Sequence, residues 1–88
     1  MGFDQILQHL SRIMQQEKVQ ALLVGGWSLG AYGVNRQTID IDFVVLERDL
    51  LRMEARLSPL GYEEVFRNSL FAKLRATDGT GPDIDFLF

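Results

Sequence analysis

The sequence predicts an α/β (α+β) domain, a mixed β-sheet backed by helices, and three observations carry that expectation. Apolar residues recur at helical spacing over two stretches, 3–17 and 47–57. Short apolar runs, some alternating residue by residue with polar ones, lie between and after these stretches, as strands do. Glycine, proline, asparagine and aspartate gather at the junctions, where turns are needed. The expected order is helix, strand, short helix, strand, helix and then three strands, in a single domain over residues 1–88.

Size and composition set the outer limits. A chain of 88 residues builds one modest core, burying a little over ~60% of its unfolded surface. With 47% hydrophobic and 24% charged residues it reads as globular rather than disordered or membrane-embedded, and no apolar run approaches the ~20 residues of a membrane span. The opening MGFDQILQHLS has no basic start followed by an apolar stretch, and Ile6 stands where myristoylation needs serine or threonine, so the expected compartment is the cytoplasm. Absence of cysteine excludes disulfides, thiolate metal ligands and a cysteine nucleophile. A net charge of −3 argues against an extended nucleic-acid surface but not against a nucleotide carried by magnesium.

Along the first helix, Phe3, Ile6, Leu7, Leu10, Ile13 and Met14 form the apolar stripe, with Gln5, Gln8, His9, Arg12 and Gln15 around it. His9 is the only histidine and reads as solvated, since no second histidine or cysteine could join it at a metal. Leu22 to Val24 form a buried strand that delivers the chain to Gly25 and Gly26, where backbone N–H groups can approach a ligand closely. Trp27 to Tyr32 reads as a short helix. Ser28 then lies near a helix N-terminus, which suits either an anion such as phosphate or an ordinary cap. Gly33 to Gln37 reads as a loop containing Arg36, which either faces a phosphate or offsets the aspartates that follow; Thr38 reads as a structural residue at a strand entrance.

The next strand carries chemistry. Asp40 and Asp42 alternate with Ile39, Ile41 and Phe43, so both carboxylates share one face. Two like charges ~7 Å apart are eased by a cation between them, and magnesium favours such all-oxygen sites. The bland alternative is a solvated strand face, against which stands the depletion of aspartate in strands. Leu50, Met53 and Leu57 then define the inner face of a helix over 47–57; Arg48, Arg52 and Arg56 line another, and the interleaved Glu47, Asp49 and Glu54 mark it as solvated. Pro59 and Gly61 end this helix. Strands follow at 62–67 and 70–76, joined by a tight turn at Asn68-Ser69; Lys73 and Arg75 share the polar face of the second, solvated or within reach of a triphosphate. Asp78 to Pro82 is turn chemistry. The last strand, Asp83 to Phe88, hairpins with the one before and places Asp83 and Asp85 on one face.

Gly25-Gly26-x-Ser28, followed after a gap of thirteen residues from Gly26 by Asp40-x-Asp42, resembles the polymerase-beta-type nucleotidyltransferase superfamily. The likeness covers about residues 20–88 and points especially to the small bacterial stand-alone enzymes, including those of toxin–antitoxin systems, which share the approach seen here as Arg36, Thr38, Asp40 and Asp42. That superfamily needs a third carboxylate on a later strand, and Ile84-Asp85-Phe86 supplies it: Asp85 has apolar residues on both sides, whereas Asp83 follows Pro82 at the strand entrance. The resemblance implies transfer of a nucleoside monophosphate from a nucleoside triphosphate to a hydroxyl, with ATP or another triphosphate as substrate. Gly25, Gly26 and Ser28 would hold the β- and γ-phosphates, with Arg36 beside them. Asp40 and Asp42 would bind two magnesium (or manganese) ions, and Asp85 the one that activates the acceptor.

Other motifs fail on specific residues. Gly25 and Gly30 have P-loop spacing, but Ala31-Tyr32 replace its lysine and Ser/Thr. Trp27 occupies the middle glycine of a Rossmann fingerprint, the turn at 78–83 lacks EF-hand ligands, and nothing places a base beside Ser28 for a triad. A second expectation from a different class is a non-catalytic nucleotide-binding or interaction module that keeps the same core. Phe86, Leu87 and Phe88 have no following element to cover them, so a homodimer or a partner chain is expected over the open apolar surface or edge.

Overall fold

The computed structural model describes residues 2–24 and 40–88. Helix α1 (Phe3–Glu17) turns Ile6, Leu10 and Ile13 inward, as its spacing requires. Its first turn is closed by Gln5, whose Oε1 accepts the Gly2 N–H at 2.9 Å. At the other end Lys18 takes a left-handed conformation (φ 56, ψ 39), and the Val19 N–H returns to the Met14 carbonyl at 2.9 Å, satisfying a helix-end acceptor.

Strand β1 (Ala21–Val24) follows, with Leu22 exposed rather than buried as its apolar run predicts, because β1 lies at one end of the described sheet; β2 (Ile41–Val45) comes next. A single 3-10 turn (Glu47–Asp49) leads into α2 (Leu50–Leu57), which buries Leu50, Met53 and Leu57. The expected solvated arginine face is present, with Arg52 and Arg56 side chains 49% and 38% exposed, but two of its members have partners. Arg52 donates to the Glu17 carbonyl at 3.0 Å and pairs with the buried Asp49, while Arg56 bonds Glu17 Oε2 at 2.8 Å and the Gln16 amide. The four-residue spacing therefore aims two arginines at the C-terminal end of α1, where carbonyls lack helical partners. Gly61, at φ 90, ends the following 3-10 turn in a conformation that a side chain would strain.

The remaining strands are β3 (Tyr62–Arg67), β4 (Phe71–Ala76) and β5 (Ile84–Leu87). Asn68 closes the β3–β4 turn, its Oδ1 accepting from the Leu70 and Phe71 N–H groups at 2.8 and 2.9 Å. The β4–β5 loop is tied by Tyr62, whose hydroxyl donates to the Pro82 carbonyl at 2.7 Å. The sheet runs β1-β2-β5-β4-β3, with β2 and β5 parallel and every other pair antiparallel. The mixed sheet backed by helices is thus present. The short helix and loop expected over 27–37, with Thr38, lie outside the described residues.

Parallel pairing of β2 with β5 sets one tripeptide beside its copy: Ile41 faces Ile84, Asp42 faces Asp85 and Phe43 faces Phe86. Alternation then sends the isoleucines and phenylalanines to the helix side and both aspartates to the other. Phe43 and Phe86 stack with centroids 6.1 Å apart, under Ile6, Leu10, Leu50, Met53 and Leu57 in one core. This overturns the expectation that the final strand is left uncovered. It lies in the middle of the sheet, Phe86 is fully buried, and Phe88 packs partly on the core while its N–H reaches the Leu70 carbonyl. Leu87 alone of the three is exposed, on the opposite face.

That opposite face carries two rows. Val24, Asp42, Asp85 and Lys73 follow one another across β1, β2, β5 and β4; beside them run Leu22, Val44, Leu87 and Phe71. Phe66, the register partner of Lys73, ends the first row on β3 and leans diagonally on Phe71 of the second with centroids 5.3 Å apart, and Leu22, Val44, Leu87 and Phe66 are all exposed.

One half-buried acid sits away from this face. Glu54 on α2 is pushed up to about 7 by burial and by the adjacent Glu64 carboxyl, with Arg67 opposing; its Oε1 is buried without a partner. The folded state holds that proton more tightly than the unfolded chain, so the contribution is complete below pH 4.5 and is lost as pH rises through about 7. Glu54→Gln is expected to melt higher than the wild type at about pH 8 and to flatten the decline between pH 4.5 and about 7. Thermal scans giving parallel profiles for the two proteins would contradict this.

Candidate active site

Asp40, Asp42 and Asp85 are brought to one region of the open sheet face. Asp42 and Asp85 are direct register partners on neighbouring parallel strands, and Asp40 lies just ahead of β2. The Ile41 N–H donates to the Asp83 carbonyl at 2.8 Å, fixing the entrances of both strands together. Gly25, Gly26, Ser28 and Arg36 lie outside the described residues.

The acids are not alone. Lys73, opposite Asp85 across β4–β5, holds its Nζ 3.5 Å from Asp85 Oδ1, 3.7 Å from Asp40 Oδ2 and 3.9 Å from Asp83 Oδ2. Arg75, two residues on, forks onto Asp83 at 3.1–3.4 Å. The two cations of β4 thus answer to carboxylates of the site, and Asp83 is an ion-paired member of it rather than a solvated or turn-capping residue. Alternation of Lys73 and Arg75 on the polar face was the only local signal for this; which carboxylates they meet depends on the strand register.

Burial pushes Asp85 up to about 6, against the Lys73 ammonium, and the neighbouring charges of Asp42 and Asp40 add to the rise. Lys73 is lowered by burial but held above its ordinary range overall by Asp85, Asp40 and Asp83. Asp85 Oδ1 is buried and has no hydrogen-bond partner. An orphaned oxygen beside a second carboxylate suits a hard cation, which would relieve both the repulsion and the missing bond. Among the described residues, however, no group of three acidic or histidine side chains is gathered closely enough to hold a metal ion as they stand. The fitting pair is Asp42 and Asp85, with Asp40 at the rim and an ammonium already between the acids.

Asp42, Asp85, Phe71 and Leu87 line a small open pocket of about 190 Å³. A larger groove, bordered by Leu22, Val44, Leu46 and Phe88, contains no acid or base among its lining residues. Among the described residues no helix is long and apolar enough to cross a membrane.

A five-stranded mixed sheet, helices on one face and carboxylates on the other, is a nucleotidyltransferase-like fold. Two solved structures share it: the solution structure of the antibiotic-resistance factor ANT(2'')-Ia and the crystal structure of ANT(2'')-Ia in complex with adenylyl-2''-tobramycin. Each matches with a TM-score of 0.71 over 94% of this chain, at 19% and 18% identity respectively. The chain spans less than half of those proteins, 44% and 47% of their lengths. No protein-family model matches the sequence, and no curated protein matches it either.

Proposed function

We propose that this domain transfers a nucleoside monophosphate from a nucleoside triphosphate to a hydroxyl acceptor. The observation that carries the reading is the in-register pair Asp42–Asp85 on the open face, joined by Asp40, in a fold shared with ANT(2'')-Ia. In the reaction the acceptor hydroxyl gives up its proton to solvent as its oxygen bonds to the α-phosphorus, the bond from that phosphorus to the bridging oxygen breaks, and pyrophosphate leaves. Asp40, Asp42 and Asp85 are the residues that would hold magnesium or manganese, which when bound supplies positive charge to the attacking and leaving oxygens. Gly25, Gly26, Ser28 and Arg36 are proposed to hold the triphosphate. The acceptor belongs to the hydroxyl-bearing small molecules; the adenylylated tobramycin bound to ANT(2'')-Ia makes aminoglycosides the first to try. A cytoplasmic homodimer, or a partner chain over the exposed Leu22–Val44–Leu87 row, and a place in a toxin–antitoxin pair belong to the same proposal.

A second reading has its own support. Among the described residues no three acids are gathered for metal binding as they stand, which suits a nucleotide-binding module without catalysis. Incubation with α-labelled triphosphates, magnesium and a panel of hydroxyl acceptors separates the two. The transfer reading expects labelled acceptor and stoichiometric pyrophosphate. Saturable triphosphate binding with no transferred label would decide for the module.

A further inference from the structure

We propose that Lys73 is a built-in counter-cation of the carboxylate site, whose ammonium stands in for a divalent ion and must withdraw when one binds. The inference rests on the nucleotidyl-transfer reading only in taking the carboxylates to receive such an ion.

Register supplies the first argument. Asp42, Asp85 and Lys73 are consecutive members of one cross-strand row, so Asp85 has an anion on one side and a cation on the other. Distances supply the second. A lysine committed to one carboxylate sits about 2.8 Å from it. Lys73 Nζ instead stands 3.5, 3.7 and 3.9 Å from Asp85, Asp40 and Asp83, and Asp85 Oδ1 remains without a hydrogen bond. That is a charge shared among acids, not a closed pair. Arg75 differs: it is forked onto Asp83 through Nε and Nη2 and meets the need of that one acid.

An ion shared by Asp42 and Asp85 would set two positive charges beside an ammonium held by the same carboxylates. The compact head and flexible four-carbon stem of lysine allow it to swing outward, which the planar fork of Arg75 on Asp83 does not. Lys73 therefore sets the affinity of the site for cations and keeps its acids compensated until one arrives.

Calorimetric titration with manganese alone tests this. Lys73→Met is expected to bind Mn²⁺ about tenfold more tightly than the wild type, and Lys73→Arg, which keeps the charge but not the compact movable head, to bind it no more tightly than the wild type. The chain contains two lysines, Lys18 and Lys73. In ¹³C-lysine-labelled wild-type protein, magnesium is therefore expected to move the Lys73 Cε signal and leave that of Lys18 in place. Equal or weaker Mn²⁺ binding by Lys73→Met overturns the proposal; should that variant not fold, an unmoved Lys73 signal at saturating magnesium overturns it alone. If Mn²⁺ binding that Asp42→Asn abolishes persists in such a case, only the role of Lys73 falls. Absence of binding in the wild type and in every variant defeats the cation site and the counter-cation together.

Discussion

Asp42→Asn is expected to slow nucleotidyl transfer by about a thousandfold or more while leaving the fold at least as stable as before. The loss follows from position: Asp42 is the register partner of Asp85, so its carboxylate is half of the pair proposed to hold the cation. An ion that stabilises charge on transferring phosphoryl oxygens is worth several kcal/mol, and about 4 kcal/mol corresponds to a factor of roughly a thousand in rate. Stability moves the other way. Asp85 is pushed up to about 6 by burial, against Lys73, with the Asp42 charge contributing; an uncharged amide removes that repulsion and offers a donor. Steady-state turnover and thermal melting on the same preparation check both halves. An Asp42→Asn protein that keeps more than about a tenth of wild-type turnover would remove Asp42 from the chemistry.

Phe86→Ala is expected to cost about 3–5 kcal/mol, a large share of the roughly 5–15 kcal/mol that holds a domain together. Phe86 is fully buried, stacks on Phe43 and belongs to the strand that joins the two halves of the sheet. Its removal leaves a cavity that no single neighbour can fill. Leu87→Ala, one residue along but 37% exposed on the opposite face, is expected to cost less than about 1 kcal/mol. Urea denaturation of both variants followed by circular dichroism gives the comparison; similar midpoints would contradict the assignment of Phe86 to the centre of the core.

What the sequence made legible was whatever depends on local period. Ile6, Leu10 and Ile13 recur at helical spacing and are buried on α1; Asp40 and Asp42 alternate with Ile41 and Phe43 and lie on the face that alternation assigns them. Order and boundaries of the described elements followed from the same reasoning. What stayed hidden depends on pairing between distant segments. The hairpin of β5 with β4 is legible locally, but nothing in residues 83–88 says that β2 pairs on the other side, so the cover over Phe86 is not. Once β5 is central, the register brings Asp85 against Asp42 and Lys73, and neither neighbour is visible from the stretch around Asp85. The partners of Arg52 and Arg56 at Glu17 and Gln16 are hidden for the same reason, because they sit on another helix. The nucleotide-holding residues proposed around Gly25, Gly26, Ser28 and Arg36 remain the part of the site carried by motif alone.

The insertion of β5 also governs how the protein comes apart. Without it the described strands form two antiparallel ribbons, β1–β2 and β3–β4, that are not neighbours in the sheet. Closing the long loop between β2 and β5 is the slow, entropically costly step of such a topology. The same pairing that completes the sheet brings Asp42 and Asp85 together and buries Phe86. No intermediate in which β5 is unpaired from β2 therefore contains the carboxylate pair, and loss of the proposed activity and loss of secondary structure are expected to follow a single denaturation curve.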